Sequence, residues 1–197
     1  MNPAPLIGVL ALQGAVAEHQ RALHTSGAQT RLVRRADELE DLDGLVVPGG
    51  ESTAIARLAA PDHLLPAIRS RHDQGMALFG TCAGLILLAE TVSDADALQG
   101  FQRIGGLEVT VRRNAYGGQL NSFQEQLEVT GLQSPLPAVF IRAPVIEGVC
   151  GDHVEVLAET RGLPAVVRQA NILAASFHPE LTEDTRLHQM FLSMAAP

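Results

Sequence analysis

A chain of 197 residues with 46% hydrophobic content is long enough to bury one sizeable core and too short for two ordinary domains. Its formal charge is −8, and its 14 basic residues are scattered rather than gathered in a stripe, which argues against nucleic acid as a partner. All of them are arginine; without a lysine the chain can carry neither a Schiff base nor a Walker-type phosphate loop, so covalent chemistry here falls to Cys, Ser, Thr or a carboxylate.

The first apolar run, residues 6–12, ends at Gln13-Gly14 and is followed by a helical pattern over 15–24. That reads as a strand buried on both faces and then a crossover helix. Residues 30–34 predict a second strand, 44–47 a third stopped by Pro48-Gly49-Gly50, and 76–79 a fourth; strands alternating with helices at this spacing argue for a mostly parallel sheet. Beyond Gly100 the segments 107–112, 127–130 and 154–157 alternate apolar and polar residues with period two, predicting half-exposed antiparallel strands at the sheet edge. Residues 172–177 predict a last buried strand and 185–194 an amphipathic helix. The expected fold is α/β: a single domain over 1–197, its mostly parallel sheet flanked by helices with antiparallel edge strands. No apolar run approaches the ~18 residues that span a bilayer, and no basic region followed by an apolar core opens the chain. A soluble, cytoplasmic protein without membrane contact is expected.

The most specific stretch is Phe79-Gly80-Thr81-Cys82-Ala83-Gly84-Leu85. An apolar strand runs into Gly-x-Cys-x-Gly and then an apolar helix, the context in which flanking glycines permit a strained turn that lifts the central side chain above the sheet. At the start of a helix, the dipole and the unpaired N–H groups favour a thiolate, the reactive form. A lone cysteine reads as an inert buried one; the two glycines at these offsets make Cys82 a candidate nucleophile. Cys150, beside Gly151 and Asp152, has no such setting and reads as structural. Two cysteines make no disulfide framework, no clustered His/Cys spacing suggests a metal, and no cofactor is expected.

A thiol nucleophile needs a base, and the base needs an orienting group. Phe177-His178-Pro179-Glu180 supplies both. Proline keeps the preceding residue out of the helical region, and in extended chain the i and i+2 side chains leave on one face, so His178 and Glu180 can point at one site at the end of the strand over 172–177. In a parallel sheet that end lies beside the strand before Cys82, where ligand sites of open α/β sheets fall. His19, His24, His63, His72, His153 and His188 read as surface residues. The order Cys, His, acid differs from the nucleophile, acid, His order of α/β-hydrolases.

Pro48-Gly49-Gly50-Glu51-Ser52-Thr53 follows the third strand and opens a helix with Ser or Thr as its cap. Its glycines let backbone N–H groups approach a ligand, so Gly50 can provide one half of an oxyanion hole and Ala83 the other.

Taken together, residues 8–14, 48–53, 80–85, Arg113-Asn114, Phe140-Ile141-Arg142-Ala143-Pro144 and residues 176–184 give the chain a resemblance to the class I (triad) glutamine amidotransferases, and within them to the glutaminase subunits of two-component pyridoxal 5′-phosphate synthases. The Cys and His-x-Glu elements are shared across many amidotransferases; the Leu-Gln-Gly, Pro-Gly-Gly-Glu-Ser-Thr and Phe-Ile-Arg-Ala-Pro combination carries the narrower resemblance. It implies a flavodoxin-like three-layer fold, Cys82, His178 and Glu180 as a triad, L-glutamine held by Gly50, Glu51, Ser52, Arg113, Ile141 and Arg142, and a separate barrel subunit that performs imine chemistry with the ammonia. That division of labour agrees with the missing lysine. Gln13 is a candidate for coupling to the partner. The sequence departs from the resembled pattern at Arg112 and over Ala115-Tyr116-Gly117-Gly118. Other readings left open are the glutaminase of another pathway, such as purine or histidine biosynthesis, a partner-binding member that does not hydrolyse glutamine, and a cysteine hydrolase of another amide or ester.

Overall fold

The computed structural model describes residues 4–113 and 122–195. Strands β1 (Leu6–Leu10), β2 (Gln29–Val33), β3 (Gly44–Val47) and β4 (Ala77–Thr81) alternate with helices α1 (Val16–Thr25), α2 (Ser52–Ala59) and α3 (Leu64–Asp73), and α4 (Ala83–Leu88) follows β4. The second half holds β5 (Ala89–Val92), β6 (Leu107–Arg112), β7 (Ser122–Leu127), β8 (Leu136–Ile141), β9 (Val145–Val149), β10 (Glu155–Thr160), β11 (Leu163–Gln169), β12 (Ile172–Ala175) and α5 (Arg186–Ala195).

The main sheet has the order β10-β11-β12-β4-β3-β1-β2. Its last five strands are mutually parallel, and β10 and β11 run antiparallel along one side. The central strands are the apolar runs of the sequence because both of their faces are covered. Alternate residues go opposite ways: Leu78, Ile172 and Val47 pack with α2, α3 and α4, whereas Phe79, Leu173 and Val46 pack with Leu23 of α1 and Phe191 of α5. The expected three-layer α/β architecture is present.

Two expectations about the second half are corrected. Of the segments predicted at the sheet edge, only 154–157 falls there, in β10; β6 belongs to a separate three-stranded sheet β5-β6-β9, and β7 pairs only with β8. The strand placed at 127–130 instead ends at Leu127, having begun at Ser122. Four strands had no clear signal. β8 and β11 contain Pro137 and Pro164, residues that read against strand; β9 contains Gly148; and β5 follows α4 with no turn residue between them.

From β1 the chain moves outward to β2, then crosses to β3 on the other side of β1. That reversal leaves a crevice outside the carboxyl ends of β1 and β3, the place where ligands bind in such sheets. Gln13 and Pro48 to Ser52 leave those two ends, Cys82 leaves β4, and His178 follows β12, so the four ends stand in the sheet order β12-β4-β3-β1.

Helix α4 sits hard on this edge. A β-carbon at Gly84 would overlap the Val47 carbonyl of β3, and one at Gly80 would lie 2.8 Å from the Gly84 carbonyl carbon. Helix propensity alone favours alanine over glycine by about 1 kcal/mol, but overpacking costs about 1–3 kcal/mol and should win at this contact. Gly84→Ala is therefore expected to lower the unfolding free energy measured in urea; an unchanged or raised value would show that α4 is not pinned against β3.

Candidate functional site

At the junction of β4 and α4, Cys82 takes φ 49° and ψ −104°, a backbone conformation that L residues rarely adopt. Strain of this kind costs of order 1–3 kcal/mol and persists only where its surroundings impose it. Here the Cys82 N–H is fixed to the Ala175 carbonyl of β12 at 2.9 Å, and the chain on either side is held by the contacts of Gly80 and Gly84. The Cys82 side chain is almost fully buried. Ala83, as the first residue of α4, has no intrahelical acceptor for its N–H.

His178 and Glu180 meet Cys82 from β12. The strand stops at Ala175, two residues earlier than the sequence suggests, and Pro179–Leu181 form a 3₁₀ turn. The pair is thus made by a turn rather than by extended chain: His178 Nδ1 lies 2.7 Å from Glu180 Oε1, and the His178 N–H donates to the Val139 carbonyl of β8 at 2.9 Å. Burial works against a charged imidazole, but hydrogen bonds to Cys82 and Glu180, together with their charges, outweigh it and push His178 up to about 10.

Gly49 lets these groups converge. A β-carbon there would fall on the His178 ring and lie 3.2 Å from Cys82 Cβ. The sequence singles out Gly50; Gly49 is the residue whose missing side chain makes room for the Cys–His contact, and the Gly-Gly pair itself was the available signal.

Around this set lie the other expected residues. Gly50 packs on the Gln13 side chain, whose Oε1 accepts the Glu51 N–H at 2.6 Å. The cap of α2 is Glu51 and not Ser52 or Thr53: its carboxylate accepts the N–H groups of Thr53 and Ala54, while Ser52 is buried. Arg113 Nη2 stands 3.2 Å from Glu51 Oε1 and 3.3 Å from Thr53 Oγ1. Partial burial opposes charge on Glu51, yet those N–H groups, the Thr53 hydroxyl and Arg113 hold its carboxyl below the ordinary value. Ile141 and Arg142 follow at the exposed end of β8, with Arg142 at φ 45°; among the described residues neither hydrogen-bonds to the rest of the set. Arg112 pairs with Glu147 at 2.9 Å. Asn114 and the departures at Ala115, Tyr116, Gly117 and Gly118 lie outside the described residues. Among the described residues no group of three or more His, Cys, Asp or Glu is placed to hold a metal ion, and no helix is long and apolar enough to cross a membrane.

The model of the SNO glutamine amidotransferase family matches residues 9–196. The chain belongs to that family. Among its relatives, a pyridoxal 5′-phosphate synthase subunit PdxT of Mycolicibacterium vanbaalenii is 51% identical over 96% of this chain and 97% of its own, and one of a Parafrankia species is 54% identical over 97% and 93%. A crystal structure of a glutamine amidotransferase superposes with a TM-score of 0.89 at 50% identity, covering 96% of this chain and 98% of its own. At 18% identity, PurLQS from Thermotoga maritima shares the fold, with a TM-score of 0.66 over 98% of this chain and 100% of its own.

In this family member the set of Cys82, His178 and Glu180 has a buried polar backing that the sequence does not announce. His19 and His188, expected at the surface, are fully buried; His24, His63 and His153 are exposed as expected. The helical period carried the signal, since His19 shares its face with Ala22 and Leu23, and His188 with Phe191, Leu192 and Ala195. His19 Nδ1 lies 3.0 Å from His188 Nε2, and His19 Nε2 lies 3.1 Å from Thr81 Oγ1 and 3.4 Å from Glu180 Oε2. Burial, then the charges of His188 and His178, lower His19 well below the usual histidine value, and burial lowers His188 to about 4.

The two directions predict opposite pH limbs. An unfolded chain protonates its histidines near 6.5 while folded His188 waits until about 4, so stability should fall with pH through that window, by up to the order of 3 kcal/mol from this residue. His178 is the reverse: its contribution is complete below about 6.5 and is lost as pH rises through about 10. Urea unfolding between pH 4 and 8 is expected to show a shallower acid limb in His188→Leu than in the parent; equal slopes would place the acid sensitivity elsewhere.

Proposed function

We propose that this chain hydrolyses L-glutamine to L-glutamate and ammonia with Cys82, His178 and Glu180, and passes the ammonia to a synthase subunit that makes pyridoxal 5′-phosphate. One observation carries the chemistry: a strained cysteine at the mouth of the sheet, against a histidine whose other nitrogen is held by a buried carboxylate. His178 takes the Cys82 proton, the thiolate attacks the side-chain amide carbon, and the N–H groups of Gly50 and Ala83 receive the developing oxyanion. His178 gives its proton to the nitrogen as the C–N bond breaks and ammonia leaves. Water then adds to the thioester, losing a proton to His178; the C–S bond breaks, and glutamate departs with Cys82 restored.

Gly50, Glu51, Ser52, Arg113, Ile141 and Arg142 form the glutamine site in this reading. The Arg113 fork suits an α-carboxylate and Glu51 an α-ammonium. Gln13 is the coupling residue, because its side chain holds the Glu51 N–H and so joins the β1 end to the substrate loop. The partner assignment rests on the named relatives and on the absence of lysine, which leaves imine chemistry to another chain. Residues 1–197 act as one glutamine amidotransferase domain. An exposed Cys150 outside any disulfide fits the reducing cytoplasm.

Glutamate release should depend on the barrel synthase partner, and it should fall on the order of 10⁴-fold or more in Cys82→Ala. Release that survives in that variant would sink the triad, and release indifferent to this synthase would assign the chain to another one. Separately, Arg113→Ala is expected to raise KM about ten- to a hundredfold with a smaller change in kcat, as loss of a charged hydrogen bond to substrate would; an unchanged KM would remove Arg113 from the glutamine site.

A further inference from the structure

The buried histidines are too costly to be filler. Each carries two polar ring nitrogens into a site fully closed to water, where an unpaired polar group costs roughly 1–3 kcal/mol. Their arrangement restricts where the protons sit. Glu180 Oε1 takes the His178 Nδ1–H, but Oε2 is buried without a hydrogen-bond partner, facing His19 Nε2 at 3.4 Å, and His188 Nδ1 is likewise buried without a partner.

Two tautomer sets can be written for the His188–His19 contact. If His19 Nδ1 donates to His188 Nε2, then His19 Nε2 turns a lone pair toward Glu180 Oε2, and His188 Nδ1 carries a buried proton with no acceptor. If instead His188 Nε2 donates to His19 Nδ1, then His19 Nε2–H points at Thr81 Oγ1 with Glu180 Oε2 beside it, the lone pair of His188 Nδ1 is unmet, and the Thr81 hydroxyl proton has to turn away from His19. The second set exchanges a fixed ring N–H without an acceptor for a hydroxyl proton that can rotate, and it removes a lone pair aimed at a buried carboxylate, so it is the one of lower energy.

We propose that His19 is a positioning residue for the triad: its Nε2–H faces Glu180 Oε2 at 3.4 Å, an attraction to an otherwise unpartnered carboxylate oxygen, and this fixes the carboxylate at the angle from which Oε1 orients His178. Thr81 completes the brace, since its Oγ1 both faces His19 Nε2 and accepts the Gly49 N–H at 3.1 Å. One imidazole from α1 thus steadies the acid after β12 and, through Thr81, the loop after β3. His19 touches neither Cys82 nor substrate; it acts through Glu180. The inference rests on the triad reading above.

The test uses the full chain with its synthase partner, comparing His19→Leu, His19→Gln and Cys82→Ala. A glutamine at this place presents an amide N–H at about the reach of His19 Nε2, whereas leucine fills the space with no donor. His19→Leu should lose between about tenfold and a hundredfold in kcat with KM nearly unchanged, and His19→Gln should recover most of the loss. Alkylation of Cys82 by iodoacetamide, followed on its own peptide in the chain alone, should slow and recover in step. Parent-like kcat in His19→Leu would overturn the proposal; so would equal loss in His19→Gln and His19→Leu when both melt at the same temperature, because the imidazole would then matter for its shape and not for its donor. If Cys82→Ala stays active, it is the triad reading that fails. An inactive Cys82→Ala beside an unaffected His19→Leu fails only the present inference.

Discussion

Four parallel strands end side by side, and the space between their ends governs everything above them. α4 lies so close to β3 that Gly84 cannot carry a side chain past the Val47 carbonyl, and the His178 ring occupies the place where a Gly49 side chain would be. These contacts hold Cys82 in a conformation that it would leave if released. The strain is local, but its restraints come from three strands: the Ala175 carbonyl of β12 behind the Cys82 N–H, Val47 of β3 beside α4, and Thr81 of β4 beneath Gly49. A change at any of these ends is transmitted to the sulfur because there is no slack to absorb it.

Electrostatics adds a second constraint of opposite character. His178 is stabilised as a cation because its partners outweigh its burial, while His19 and His188, only a few ångströms further in, are held neutral because burial wins. Within one polar cluster, therefore, the outer ring is pushed toward its charged form and the two inner rings toward the neutral one. A single carboxylate, Glu180, stands between the charged ring and the neutral ones, 2.7 Å from the first and 3.4 Å from His19. Stability near neutral pH is the compromise, since acid forces protons onto the inner pair and alkali removes one from the outer ring.

Much of this was legible in the sequence, for identifiable reasons. Strands β1, β3, β4 and β12 declare themselves because burial on both faces demands unbroken apolar runs, and Gly80, Gly84 and Pro179 mark the turns because few other residues tolerate them. Legibility failed where tertiary contacts decide. The sequence carries no strand expectation for β8 and β11, each of which contains a proline, Pro137 or Pro164, although both strands form. Glu51 caps α2 because its longer side chain reaches Thr53 and Ala54, which displaced the expected Ser or Thr. His19 and His188 read as surface residues by their polar type, whereas the helical period puts both on the buried face.

The loops of the site are also more unified than separate motifs suggest. The Glu51 N–H is held by Gln13 after β1, its carboxylate caps α2 and pairs with Arg113 after β6, and Ala15 donates to the Gly49 carbonyl. Glu51 therefore has three structural partners before any ligand arrives, and its side chain is still about half exposed. A carboxylate so placed is pre-oriented, because its rotamer is chosen by the helix terminus and not by the ligand. The same bonds tie the ends of β1 and β3 across the strand reversal, where an open sheet would otherwise leave a cleft with independently moving walls. What looks from the sequence like a glycine turn followed by a helix cap is, in the fold, one brace spanning the crevice, with Arg113 as its outer end.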